Sequence, residues 1–472
     1  MLMFDIETDG LLDTVSVLHC MCIKDTKTGM MHRFNPETAY KGVQMLIDGL
    51  KEGDVICGHN IINYDIPALE KLYPKFKVPY KQRGQVVDTL VLARLIYSNI
   101  DTVDLGLMKS GKLPKQFYKS HKLMAWGYRL GVLKGHYGEQ EDAWAIYTPE
   151  MLDYNEQDVV VTEKLYEKLM SRGYSEKAIA LEHSVAWLMA KQERNGFKFD
   201  FKGAEELEVT LRSRLATLES ELVRTIPQIP DKVFVPKRDN KRLGYKAGVP
   251  IQKYKEFNPN SRKQIEYVFR EMYSYNPDNP DLYDIPDMDD TPKLKNYRLK
   301  MDEETMKFVA SDPDCPDALK HIAKIISESL MLNKRLGQIA DGQSAWLKMY
   351  NAADGCIHGR VIPNGAVTGR ATHSSPNVAQ VPHVGSPYGE ECRALWNAGG
   401  WFQAGIDACG LELRCLAHFT APYDGGEYAN TILTGDIHTM NQQAAGLPER
   451  NQAKTFNNME VYKPIENGEP LR

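Results

Sequence analysis

Two acids, Asp5 and Glu7, stand one residue apart inside the otherwise apolar opening MLMFDIETDG. In an extended strand alternate side chains share a face, so both carboxylates meet the same surface. Like charges side by side cost energy unless something positive sits between them, and a divalent cation meets that need. A third acid, Asp65, closes the stretch HNIINYD, and LDYNEQDVV sets Tyr154 and Asp158 four apart on one face of a helix. Hard oxygen donors of this kind suit magnesium or manganese. Two such ions could activate a water and hold the leaving oxygen of a phosphodiester, with Tyr154 orienting the water. Taken singly, each piece also has an ordinary reading: a surface acid pair, an acid capping IPALEKLY, a solvated helix residue.

A second group lies towards the other end. Asp407 closes the apolar run FQAGID, where a carboxylate can meet a metal at a sheet edge. Arg450 and Lys454 fall at helical i,i+4 spacing, a geometry for two cations facing one polyanion and equally for a solvent-facing pair. The polar stretch HGRVIPNGAVTGRATHSSPNVAQVP contains Arg370, Asn377 and Gln380, which read equally as nucleic-acid contacts or as a satisfied turn.

The elements that position these residues follow from pattern. LMFDIE, VSVLHCMCI and DVICGHN read as strands; TAYKGVQMLIDGL, DIPALEKLY, VVDTLVLARLIY and HKLMAWGYRLG read as helices between them. Such alternation implies an α/β domain with a mixed or mostly parallel sheet. Thr148-Pro149-Glu150 is a helix-entry signal for the segment holding Tyr154 and Asp158. Helices are also expected over SEKAIALEHSVAWLMAKQERNG, stopping at Gly196, and over GAEELEVTLRSRLATLESELVRT, lying against the next domain. Residues 231–256 hold eight Lys or Arg against three acids, with prolines and glycines, and read as a basic loop or small insert. Ser261 is a helix cap, and further helices are expected over DEETMKFVAS and PDALKHIAKIISESLMLNKRLGQIA. CIHGRVIPN and WFQAGIDA read as strands, LELRCLAHFT and DIHTMNQQAA as short helices, the latter capped by Asp436.

The chain has 472 residues, a length that suggests about three domains, and a net charge of −5. That balance does not exclude a nucleic-acid ligand, because a local basic groove matters more than the total. No run of about 20 apolar residues marks a membrane span, and no signal peptide is visible. Cys20 and Cys22 alternate within a strand pattern with no second pair to complete a zinc site, so reduced buried thiols are expected.

The DIET, HNxxxYD and YNxxD set, in that order, resembles the proofreading 3′–5′ exonucleases of the DnaQ-like superfamily, with four acids and a tyrosine. DTLVLARLIYSN and SGKLPKQFYKSHKLMAWGYRLGVLKG resemble the same domain in the replicative polymerases of short-tailed bacteriophages. The TGR block, QAGIDACGLELRCLAHF and GDIHTMNQQAAGLPERNQAKTF together resemble a family A DNA polymerase, over nearly the whole chain up to Phe456. The resemblance implies an RNase H-like exonuclease domain over 1–175, a helical thumb over 176–350, the start of a polymerase palm and fingers over 351–456, and a divergent tail over 457–472. It makes Asp5, Glu7, Asp65 and Asp158 ligands of two magnesium or manganese ions and Tyr154 the residue that positions water. It assigns Arg370, Asn377 and Gln380 to the primer-template duplex, and Asp407 with the carbonyl of Ala408 to a polymerase metal. Glu412 falls beside the incoming sugar, and His438, Arg450 and Lys454 fall on the phosphates of a dNTP.

The sequence departs from the family pattern in two places. Asn458 stands where the family stacks a tyrosine on the nucleotide, and no HDE-like motif follows to supply the second metal carboxylate. The chain therefore reads as the N-terminal portion of a polymerase, with a whole exonuclease and an incomplete palm that needs a C-terminal partner chain for DNA synthesis. A non-catalytic primer-template-binding or assembly subunit is the alternative. The basic insert at 226–256 is also much shorter than the thumb insert through which relatives recruit thioredoxin, so that partner is not expected. Single-stranded DNA 3′ ends, primer-template and the cytoplasm of an infected bacterial host complete the expectation, with no membrane partner.

Overall fold

The computed structural model describes residues 1–135, 137–139, 142–226, 228–285, 297–406, 408, 410–444 and 446–448. The chain forms two compact units, Met1–Gly399 and Gly400–Arg472.

The first unit opens with a five-stranded sheet of order β3-β2-β1-β4-β5. Its strands are β1 (Leu2–Thr8), β2 (Leu18–Asp25), β3 (Met31–Phe34), β4 (Ile56–Gly58) and β5 (Val86–Asp88). β1 runs antiparallel to β2 and parallel to β4, so the sheet is mixed, as the strand–helix alternation implies. The connecting helices are α1 (Ala39–Glu52), α2 (Asp65–Leu72), α3 (Thr89–Ile96), α4 (Ile100–Lys109), α5 (Leu123–Leu130) and α6 (Pro149–Met170). The alternation of β1 divides its side chains between two faces. Leu2, Phe4 and Ile6 enter a core with Val43 and Leu46 of α1 and Ile66 and Leu69 of α2. Met3 points the other way and packs with Cys22, Cys57 and Val159 of α6. Asp5 and Glu7 follow Met3, so strand geometry alone delivers both carboxylates to the α6 side. Cys20 and Cys22 pair opposite Glu7 and Asp5 and are free, buried thiols.

After α6 comes α7 (Glu176–Asn195), capped by Ser175 and stopped at Gly196. Its Ala186, Trp187 and Ala190 pack into the core beneath β1, so this helix is built into the first sheet's packing. A second core then gathers β6 (Phe197–Phe199), α8 (Phe201–Thr225), α9 (Arg262–Tyr267), α10 (Glu303–Ser311), α11 (Asp317–Leu336) and α12 (Trp346–Met349). α8 packs along α11 within it, as its apolar spacing implies. Ser261 does sit at the cap position of α9, but its side chain makes no capping hydrogen bond.

Three elements differ from the sequence reading. The basic insert is ordered as a two-stranded hairpin, β7 (Ile229–Phe234) with β8 (Ile251–Lys255). Its β-branched and aromatic residues suit pairing, while Pro236, Gly244 and Gly248 fall in the connection. CIHGRVIPN is not one strand. After β9 (Tyr350–Asn351) it divides into β10 (Cys356–Ile357), in the sheet with β6, and β11 (Arg360–Ile362), in a hairpin with β12 (Thr372–Ser374). The break falls at Gly359, where a Cβ would lie 2.7 Å from the Val378 side chain. Past α13 (Gly389–Ala394), the expected strand over WFQAGIDA is absent among its described residues. The nearby strand is instead β13 (Trp396–Asn397), which pairs with β6. A strand needs a neighbour for its N–H and C=O groups, and no described residue of the second unit forms one.

The second unit contributes α14 (Leu411–Asp424), α15 (Glu427–Thr434) and α16 (Ile437–Ala444). Asp436 accepts at 3.4 Å from Thr439 N, as the expected cap of α16. No helix among the described residues is long and apolar enough to cross a membrane.

Candidate metal and nucleic-acid site

α6 begins at a sequence-encoded cap: Thr148 Oγ1 accepts from Met151 N at 3.2 Å and Pro149 takes the first turn. From that fixed start, Tyr154, Asn155 and Asp158 fall on the turns that face β1. One carboxylate oxygen from each of Asp5, Glu7 and Asp158 lies within 4.8 Å of the others. Asn155 Nδ2 donates to Asp5 Oδ2 at 2.7 Å and approaches Glu7 Oε1 at 3.5 Å, fixing the pair from the helix side. Asp65, the first residue of α2, is 4% exposed and lies outside that group of three, though near enough for its charge to act on all of them.

The electrostatics are those of a site short of positive charge. Burial, then the charges of Glu7, Asp158 and Asp65, holds Asp5 well above the carboxylate range. Burial and then Asp158 push Glu7 up to about 8. Burial raises Asp65 to about 7, with Asp88 and Asp158 adding to it. Burial takes Asp158 to about 6 against the opposing pull of Lys134. Lys134 is the cation that is present: its ammonium pairs with Asp158 Oδ2 and lies 4.6 Å from the centre of the Tyr154 ring. The other oxygen, Asp158 Oδ1, is buried with no hydrogen-bond partner among the described residues. Three converging carboxylates, one orphaned buried oxygen and an all-oxygen donor set fit a divalent cation.

Tyr154 packs in an aromatic group with Tyr137 at 5.8 Å and Trp144 at 5.9 Å between ring centres. Burial and then Asp158 raise its hydroxyl to about 12, so the phenol keeps its proton at neutral pH. The sequence reading missed four residues. Asn155 had a signal: it lies within YNEQD, three residues before Asp158 on the same helix. Asp88 had one too, standing just before the helical run TLVLARLI. It accepts from Asn60 N (2.8 Å), Leu90 N (2.9 Å) and Ile62 N (3.1 Å), pinning the loop that leads to Asp65. Lys134 and Arg94 had no local signal. Both line a cavity of about 670 Å³ that also touches Asp5, Asp158 and the β11–β12 hairpin.

Only part of the polymerase-type set falls among the described residues. Asp407, Arg450 and Lys454 lie outside the described residues, as does the His438 side chain. Ala408 is exposed, and Glu412 stands half-buried in the first turn of α14. Arg370 is exposed in the β11–β12 connection. Asn377 accepts from Ala379 N at 3.1 Å, capping a short 3₁₀ turn, and Gln380 offers its carbonyl to Gln338 Nε2 at 3.0 Å.

A mixed sheet presenting carboxylates to a helix-borne aspartate defines an RNase H-like domain, and residues 2–170 match the RNase_H superfamily. Residues 242–465 match DNA polymerase family A. The DNA-directed DNA polymerase of Enterobacteria phage T3 is 41% identical, over 97% of this chain and 74% of that protein. The corresponding enzyme of Escherichia phage T7 is likewise 41% identical, with the same coverage. DNA polymerase I of Helicobacter pylori is 26% identical over 85% of this chain and 37% of its own length. A solved structure, the POL domain of Pol1 from M. smegmatis in complex with DNA primer-template and dNTP, superposes with a TM-score of 0.60. It is 16% identical, covering 96% of this chain and 67% of that one, a likeness of fold. The chain belongs to the family A DNA polymerases, in the T7/T3-like phage branch.

Proposed function

We propose that this chain is the N-terminal portion of a phage DNA-directed DNA polymerase, carrying a metal-dependent 3′–5′ exonuclease for the ends of single-stranded DNA. The observation that carries the reading is the convergence of Asp5, Glu7 and Asp158 within 4.8 Å. Asp65 joins them as a further ligand. When bound, magnesium, or manganese in its place, would supply an activated water and stabilise the leaving oxygen of a phosphodiester, two ions serving both ends of the bond. The chain's own residues do the rest. Asn155 holds Asp5 and Glu7 in register, and Tyr154 offers a neutral hydroxyl that orients a water by hydrogen bonding. Lys134 offsets the carboxylates until the cations arrive.

For polymerisation, Asp407 with the Ala408 carbonyl would hold a metal. Glu412 meets the sugar of the dNTP; His438, Arg450 and Lys454 hold its phosphates; and Arg370, Asn377 and Gln380 face the duplex. Synthesis also needs polypeptide that supplies the second carboxylate and covers the palm, either a C-terminal partner chain or a continuation of this one. Trp401, Phe402 and Ile406, each more than four-fifths exposed, support that need for cover. The place of action is the cytoplasm of the infected bacterial host.

End-labelled single-stranded DNA with magnesium and the purified chain should yield mononucleotides. Asp5→Ala with Glu7→Ala should lower that rate by at least about a thousandfold, given what preorganised electrostatic groups contribute. Undiminished digestion by the double variant would refute the assignment. Primer extension should be absent with the 472-residue chain and appear when the completing polypeptide is added.

A further inference from the structure

The carboxylate site has a counterpart of opposite sign in the same cavity. Arg94, in the last turn of α3, and Arg360, on β11, both line the cavity that touches Asp5 and Asp158. Arg94 is half-buried, and no ion pair or hydrogen bond joins it to another described residue. Arg129 illustrates the alternative: buried, it lies 2.8 and 3.0 Å from the two oxygens of Asp104 and is neutralised in place. Arg360 has one carboxylate in reach, Glu193 at 3.8 Å. Burial and then the like charge of Arg360 lower Arg94 to about 10 against the opposing pull of Asp88, so the pair repels and still stays charged at neutral pH. Of the other basic groups of the cavity, Lys134 is taken up by Asp158 and Lys122 adds a further positive charge. Burial holds His59 near 3 and His121 near 4, both neutral, and Lys119 is paired with Asp101 at 3.2 Å. Two guanidiniums lining one open cavity, near enough for their charges to interact, call for an anion, and a guanidinium fork matches phosphate oxygens in pairs.

We infer that Arg94 and Arg360 hold backbone phosphates of the single strand whose 3′ end lies on the carboxylate site. The inference rests on the exonuclease reading and deepens it: a residue from the β11–β12 hairpin, outside the RNase H-like region, becomes part of the exonuclease's substrate cleft. The hairpin that carries Arg370 thereby serves the excised strand as well.

The test uses the full chain and a fluorescent single-stranded oligonucleotide in EDTA, where no hydrolysis occurs. Arg94→Gln and Arg360→Gln should each weaken binding by about tenfold, the scale of a lost hydrogen bond to a charged group. Each should also reduce the slope of log affinity against log salt by about 0.7, the increment for one single-strand phosphate. Lys168→Gln, exposed on α6 and away from the cavity, should change neither quantity. With magnesium, the arginine variants should raise KM for the oligonucleotide and leave kcat in place, and melting curves establish that they fold. Unchanged affinity and salt slope in both variants would overturn the inference. Equal weakening towards free dTMP and towards the oligonucleotide would also overturn it, marking a mononucleotide site instead. The exonuclease reading fails separately: with magnesium, wild type would then release no p-nitrophenol from the p-nitrophenyl ester of thymidine 5′-monophosphate, while the EDTA binding measurement still decides the role of the arginines.

Discussion

Residues 2–170 and the described residues of 400–448 differ in how far their side chains are covered. In the first, a strand covered on both faces and a capped helix press Asp5, Glu7 and Asp158 together, and their charges act on one another. In the second, α14 buries Leu413 and Ala417, while Phe402, Phe419 and Tyr423 face solvent. The contrast teaches that spacing supplies the chemical groups, but cover on both sides of the carrying element supplies their geometry. An apolar run such as WFQAGI becomes a strand when a neighbour accepts its hydrogen bonds.

The sharpest way to break the comparison is to exchange the acids tested. Asp5→Ala should remove about two to three orders of magnitude of exonuclease rate, and Asp407→Ala should leave that rate unaltered; equal losses would mean that the two regions are not functionally separate. Next in size is Asp88→Ala, which strips partners from three backbone N–H groups, two of them buried, and should destabilise the chain by about 3 kcal/mol in urea melts. Asp88→Asn should cost less, because one oxygen still serves Asn60 and Leu90.

A smaller effect concerns pH. In the folded, metal-free chain Asp158, Asp65 and Glu7 keep protons up to about 6, 7 and 8, whereas an unfolded chain releases them near 3.8 for Asp and 4.5 for Glu. The folded state therefore binds more protons across this window, and stability falls as pH rises through it. Melting temperature in EDTA should drop between pH 5 and pH 8, magnesium should restore more of it at pH 8, and Asp5→Asn with Glu7→Gln should flatten the slope. A melting temperature independent of pH would show that the carboxylates do not repel as described. The smallest effect should come from Phe402→Ser, which removes a fully exposed ring. It should shift stability by less than about 0.5 kcal/mol while reducing aggregation seen by light scattering.

Legibility in the sequence followed the range of the interactions. Thr148-Pro149 marked the start of α6, and the alternation of LMFDIE put Asp5 and Glu7 on one face, because caps and pleats act over a few residues. The helix ends at Ser175 and Gly196 were readable for the same reason. Lys134 was not, since its partner Asp158 lies 24 residues away and meets it through tertiary packing. Nor was Arg94, whose significance depends on a hairpin more than 260 residues further on. The hairpin at 229–255 was obscured by its charge, which masks alternation when neither face is buried. The motif set for nucleotide and polymerase metal was read through family resemblance, and its key members lie outside the described residues.

β1 has one face in the core and carries Asp5 to the cleft on the other, and this has a consequence for heredity. The Phe4 ring enters the core on the face of the strand opposite the carboxylates, and there it anchors the strand to the helices beneath. If the cleft proofreads, a phage carrying Phe4→Ala would copy its genome with more errors, although nothing in contact with DNA had changed. Its progeny would show that loss as a broadened spectrum of mutations, and second-site changes that refill the space under the sheet would be selected back among them.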